Sequence, residues 1–210
     1  MNENRLREDI AALGRSLYER GLTHGSTGNI SARCGDGWLL TPTGSSLGNL
    51  DPARISRLDW EGRLLSGDAP SKENFLHLAM YRERPQDGAV IHLHSTHSVA
   101  VSVLADTDPA DALPPLTAYY AMRIGTLPMV PYHAPGDLAL ADAVRKMASR
   151  NHALLLANHG PVVSGSSISA AADAIEELEA TARLHLLLRG EKVRTLDAAQ
   201  VADLRRRYPV

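Results

Sequence analysis

The sequence predicts a layered α/β fold, a central and mostly antiparallel sheet flanked by helices, in a single domain over residues 1–210. Three observations carry this. Apolar residues recur at helical spacing in several segments, first at Leu6, Ile10, Leu13 and Leu17. Between them lie short apolar runs of strand length, such as 89–93 and 153–157. At 210 residues, with 44% hydrophobic and 22% charged side chains, the chain is long enough to bury one core.

Taken in order, residues 4–20 read as an amphipathic helix stopped by Gly21. Residues 23–50 are dense in Gly, Ser, Thr and Asn, with short strands at 29–32 and 38–40. Segments 56–60 and 63–65 about Glu61-Gly62 read as a hairpin. Ser71 caps a helix to about Arg84, with Phe75, Leu78 and Ala79 facing inward. A strand at 89–93 leads to a short helix at 96–104. Residues 105–120 read as a loop rich in Pro and Asp, ending at Tyr119-Tyr120. A strand at 126–130, a helix at 136–150 and strands at 153–157 and 161–164 about a His-Gly turn follow. Helices at 168–188 and 197–207 complete the chain, which has no internal repeat.

A net charge of −2 argues against a nucleic-acid or membrane-surface protein. The cluster Arg205-Arg206-Arg207 reads as a solvated helix end. One cysteine, Cys34, excludes an internal disulfide and suits a reducing cytoplasm. The first residues lack the apolar stretch of a secretory signal, and no apolar run is long enough to span a bilayer.

Nine histidines are present, and two of them stand out. In a strand, side chains at i and i+2 share a face, so His92 and His94 project together, with Leu93 opposite. Two imidazoles on one rigid strand make half of a divalent-metal site, and His159 could add a third nitrogen. Spacing alone leaves this open against a plain buried polar pair. His97 reads as lining or as an outer partner. Glu73 reads either as a first-turn glutamate favoured by the helix dipole or as a carboxylate beside the metal. Lys72 opposes that dipole, so Ser71-Lys72 suits an anionic ligand docked on the helix start. The loops around Gly28-Asn29 and Thr43-Gly44 offer amides and hydroxyls, as phosphate cradles do, though such loops are often plain turns.

Gly28-Asn29-Ile30-Ser31, Thr41-Pro42-Thr43-Gly44, Ser71-Lys72-Glu73, His92-Leu93-His94-Ser95 and Asn158-His159-Gly160 stand in this order over residues 1–190. As an ordered set they resemble the class II aldolase family of the L-fuculose-phosphate aldolase and ribulose-phosphate epimerase type. The resemblance implies a class II aldolase-like fold and a homotetramer with active sites at subunit interfaces. It implies one Zn²⁺ per subunit on His92, His94 and His159, with Glu73 as resting ligand and proton carrier. Mn²⁺, Co²⁺ or Fe²⁺ would also suit these ligands. It further implies substrate phosphate on Gly28, Asn29, Thr43, Gly44 and Ser71, and a tyrosine from a neighbouring subunit, here Tyr119 or Tyr120.

Family aldolases commonly carry Ser-Ser-Glu where this chain has Ser71-Lys72-Glu73. The chain looks most similar to the subgroup of 3-oxo-tetronate 4-phosphate decarboxylases. The resemblance extends through Ser95-Thr96-His97, Leu113-Pro114-Pro115 and Pro161 to Gly165. It implies a cytoplasmic lyase that forms dihydroxyacetone phosphate and carbon dioxide through a metal-bound enediolate, with Lys72 helping to hold the anionic substrate. Alternatives are a ketose-phosphate aldolase, an epimerase or dehydratase on the same scaffold, and a non-catalytic module like the adducin head.

Overall fold

A computed structural model describes residues 2–134 and 136–208. Among the described residues, eight strands form one sheet: β1 (Asn29–Cys34), β2 (Gly37–Leu40), β3 (Ser56–Asp59), β4 (Leu64–Ser66), β5 (Ala89–His92), β6 (Met129–Val130), β7 (Ala153–Leu156) and β8 (Gly160–Gly165). Their spatial order is β4-β3-β2-β1-β5-β8-β7-β6. Neighbours run antiparallel except β6 and β7. Helices α1 (Glu3–Glu19), α2 (Asn74–Glu83), α3 (Thr96–Val103), α4 (Ala118–Arg123), α5 (Ala139–Ala148), α6 (Ile168–Leu187) and α7 (Ala198–Arg207) surround it.

Strand alternation sorts side chains into two cores. Leu39, Ile91, Leu155 and Val163 meet α1, α3, α4 and α6 on one face. Their chain neighbours Leu40, Val90, Leu154 and Val162 meet α2 and α5 on the other. A sheet buried on both faces needs apolar residues at successive positions, hence the continuous runs in 89–93 and 153–156.

Several local expectations change. Residues 105–120 are not loop throughout: α4 starts at Ala118, its N-terminus capped by the Thr117 hydroxyl, which accepts from the Tyr120 amide at 3.0 Å. The strand at 126–130 shrinks to two residues, since Pro128 has no N–H to give to a ladder. Helix α2 begins three residues after Ser71. Ser71 Oγ accepts from the Glu73 amide at 3.2 Å, so Ser71-Lys72-Glu73 is a turn leading into the helix. Lys72 therefore lies outside the first helical turn, and the dipole argument applied to it falls away. The inner side of α2 is Leu76, Ala79 and Met80, while Phe75 and Leu78 are half-buried.

Candidate metal centre and substrate cleft

The register of β1 on β5 places Asn29 opposite His92. Both lie on the face that carries Val90, toward α2, so the turn before α2 delivers Glu73 to the same point. Strand β5 ends at His92, but the Leu93 amide still donates to Pro161 O at 3.2 Å, and Ser95 keeps an extended backbone. His94 thus projects beside His92, their Nε2 atoms 3.2 Å apart.

His159 arrives from the β7–β8 turn. Asn158 there has φ +56°, alone among described non-glycine residues in having positive φ. Gly160 follows at φ +153°, and a Cβ at that position would lie 2.2 Å from Leu93 O. The absence of a side chain lets the turn press against the backbone of Leu93-His94, bringing the His159 ring within 4.7 Å of the His94 ring, centroid to centroid.

Glu73 completes the group. Its Oε1 lies 3.2 Å from His159 Nε2 and its Oε2 3.6 Å from His92 Nε2. One ligand atom from each of Glu73, His92, His94 and His159 lies within 4.8 Å of the others. Tetrahedral zinc with bonds near 2.0–2.1 Å has ligand–ligand edges of about 3.3 Å. The spacings of 3.2 and 3.6 Å fit that edge. Protonation fits as well. His92 Nδ1 donates to Pro161 O at 2.9 Å, so its Nε2 keeps a bare lone pair facing the group. Burial pushes His92 down from the ordinary histidine range and His94 down to about 3. Burial works against ionisation of Glu73. The facing His92 and the hydrogen bonds from His159 and Asn29 outweigh it and hold Glu73 well below the usual carboxylate range. The neutral imidazoles of His92 and His94 beside the Glu73 carboxylate, with His159 facing them, make a group of residue types that suits a divalent cation.

The group lies at the floor of a cleft of about 800 Å³. Gly28, Asn29, Thr43, Gly44, Ser71, Lys72, Glu73, His94 and His159 line it, and His92 lies buried beneath. The Thr43 amide already donates to Ala69 O at 2.9 Å, which leaves its hydroxyl for a ligand. Gly136 from the loop before α5 and His24 also border the cleft and were not anticipated.

Two expectations do not hold. His97 turns away from the cleft to α6, where Glu179 Oε1 lies 2.8 Å from its Nδ1 and accepts from its amide at 2.9 Å. Tyr120, one of the two residues expected as the intersubunit tyrosine, is 0% exposed, with its hydroxyl 3.5 Å from Leu113 O. The α4 helix, absent from the sequence reading, turns Tyr120 inward against α6 and leaves Tyr119 60% exposed. A side chain locked in its own core cannot enter a neighbour's site.

The chain is similar to known proteins over most of its length. A 3-oxo-tetronate 4-phosphate decarboxylase of Pectobacterium atrosepticum is 49% identical over 204 residues, covering 97% of this chain and 94% of that one. An L-fuculose phosphate aldolase of Haemophilus influenzae is 33% identical over 191 residues, covering 90% and 85%. The crystal structure of YgbL from Escherichia coli superposes with a TM-score of 0.95 at 48% identity, covering 97% of this chain and 99% of that one. Residues 8–186 match the family described as the class II aldolase and adducin N-terminal domain, and the chain belongs to that family.

Proposed function

We propose that the protein is a metal-dependent lyase that decarboxylates 3-oxo-tetronate 4-phosphate to dihydroxyacetone phosphate and carbon dioxide. The observation that carries the reading is the convergence of Glu73, His92, His94 and His159 at the floor of a cleft whose rim holds Lys72 and two Gly/Thr loops. The intact ligand set argues against an adducin-like binding module. The 49% identical decarboxylase and the 33% identical aldolase favour decarboxylation over aldol cleavage.

A divalent ion, zinc in our reading, supplies Lewis-acid stabilisation of negative charge developing on the substrate oxygens. The residues do the rest. The Gly28, Asn29, Thr43, Gly44 and Ser71 groups hold the phosphate. Lys72, exposed on the rim, holds the carboxylate end. Glu73, ionised at rest, takes the proton of the C2 hydroxyl on one of its Oε atoms. The C1–C2 bond then breaks, carbon dioxide leaves, and its electron pair moves into the C2–C3 enediolate. Glu73 returns its proton to C2, and one solvent proton neutralises the remaining oxyanion, so each turnover consumes one proton.

We further infer a homotetramer with active sites at subunit interfaces, in which Tyr119, 60% exposed, is the tyrosine that would serve a neighbouring cleft. A cytoplasmic location accords with the single free, buried Cys34. Among the described residues, no helix is long and apolar enough to cross a membrane.

The test is release of carbon dioxide and dihydroxyacetone phosphate from 3-oxo-tetronate 4-phosphate by the zinc-loaded enzyme. An enzyme that yields only an aldehyde from a ketose phosphate is an aldolase, and the reading fails. Lys72→Ser is expected to raise KM for the acid substrate. Unchanged kcat and KM would remove Lys72 from recognition.

A further inference from the structure

Helix α2 and strand β1 meet along a polar seam that runs away from the cluster into the core. Glu73, His77 and Tyr81 stand at i, i+4 and i+8 of the helical segment, and Asn29, Ser31 and Arg33 at i, i+2 and i+4 of the strand. Four helical residues rise about 6.0 Å and two strand residues about 6.6 Å, so the two series stay in step. They interleave. Asn29 Nδ2 donates to Glu73 Oε2 at 2.8 Å and to Ser71 Oγ at 3.2 Å. Asn29 Oδ1 meets His77 Nε2, His77 Nδ1 lies 2.7 Å from Ser31 Oγ, and Ser31 Oγ lies 2.9 Å from Tyr81 Oη.

With His77 neutral, as its full burial dictates, one proton arrangement satisfies every member. An ionised Glu73 only accepts, so the amide nitrogen of Asn29 must face it and the amide oxygen must face His77. His77 must then donate from Nε2, which leaves Nδ1 bare to accept the Ser31 hydroxyl proton. Ser31 Oγ in turn accepts from Tyr81. His77 is completely buried, and the Trp38 ring stacks beside it with centroids 6.4 Å apart.

We propose that His77 is a positioning residue: its Nε2–H fixes the orientation of the Asn29 amide, and through Asn29 it holds the Glu73 carboxylate against His92 and His159. With no donor at position 77, the amide is free to rotate and present Oδ1 to the carboxylate, which repels it. The inference rests on the reading of Glu73, His92, His94 and His159 as a metal site.

The test is zinc titration in metal-buffered solution with the full-length protein. His77→Leu is expected to weaken zinc binding by about 10–100-fold, the usual cost of losing an outer partner of a metal ligand. His77→Gln, whose Nε2 can still donate to Asn29, should recover most of that loss. Ser164→Ala, which breaks a buried hydroxyl–Asp87 hydrogen bond elsewhere in the sheet, should lower Tm and leave zinc affinity in place. Wild-type affinity in His77→Leu, a His77→Gln as weak as His77→Leu, or an equal loss in Ser164→Ala would each overturn the proposal. Should His77→Leu fail to fold, the imidazole nitrogen NMR spectrum of the metal-free wild type decides: an Nδ1–H tautomer at His77 overturns it, and an Nε2–H tautomer supports it. A wild type that binds no stoichiometric divalent ion overturns the metal reading itself, and this proposal with it.

Discussion

Replacing Gly160 with alanine tests how the β7–β8 turn builds the site. A Cβ there lies 2.2 Å from Leu93 O, which is 0.8 Å inside the 3.0 Å approach that real Cβ atoms keep, and the atom it meets is backbone. The turn must retreat by a comparable distance or Leu93 must move, and each shift carries a proposed metal ligand, His159 on one side or His94 on the other. Residue 160 also holds φ +153°, a region costing an L-residue about 1–3 kcal/mol. Gly160→Ala is therefore expected to lower the unfolding free energy of the metal-free protein by about 1–3 kcal/mol in urea titration. Functional constellations tolerate displacements of only about 0.5 Å, so zinc binding should weaken as well. A tenfold loss of affinity at saturating zinc removes about a further 1.4 kcal/mol of metal-linked stability, so the metal-loaded form should lose more than the metal-free form. A Gly160→Ala protein with the wild-type urea midpoint and wild-type zinc affinity would refute the claim that this close approach places His159.

Glu73→Gln keeps the shape but neither takes nor returns a proton, so kcat should fall by about 10²–10⁴-fold in the decarboxylation assay. A kcat near wild type would exclude Glu73 as the proton carrier. Burial pushes His77 down to about 3 from 6.5, so the unfolded chain binds a proton that the folded chain refuses between those limits. Folded stability is then complete above about pH 6.5 and falls on acidification toward pH 3. His77 contributes about 1.4 kcal/mol per pH unit to that slope, which His77→Gln should remove in urea titrations of metal-free protein. An unchanged slope would mean that His77 is protonated in the fold. Tyr119→Phe should lower turnover with Tm unchanged, whereas Tyr120→Phe should leave turnover intact, since its hydroxyl touches only Leu113 O. The reverse pattern, read from kcat and Tm, would restore Tyr120 to the reaction.

The features legible in the sequence are those set by one short period within one segment. His92-Leu93-His94 is readable because a two-residue repeat fixes which side chains share a face. The two-sided sheet is readable because Val90-Ile91 and Leu154-Leu155 supply apolar groups to both cores at once. Helix α4 was not, because Pro114 and Pro115 dominate the local signal while its cap, Thr117, is one residue among many that begin turns as readily as helices. Without it the choice between Tyr119 and Tyr120 stays open, since facing on a helix depends on where the helix starts.

The support behind Glu73 shows where such reading stops. Glu73, His77 and Tyr81 on one segment and Asn29, Ser31 and Arg33 on another each follow a simple period. Each series by itself looks like an unremarkable polar stripe, and buried polar groups without partners would argue against placing either one in the core. They become compatible with burial only when docked on each other, because each then supplies the donors and acceptors that the other lacks. No one-dimensional period encodes that docking; it comes from the register of β1 beside β5 and the angle at which α2 crosses the sheet. The proposed ligands at the floor of the cleft are thus readable as a motif. The seam that orients the carboxylate is readable only once the strand and helix are paired, with His77 as the residue whose loss should separate a folded protein from a correctly held metal ligand.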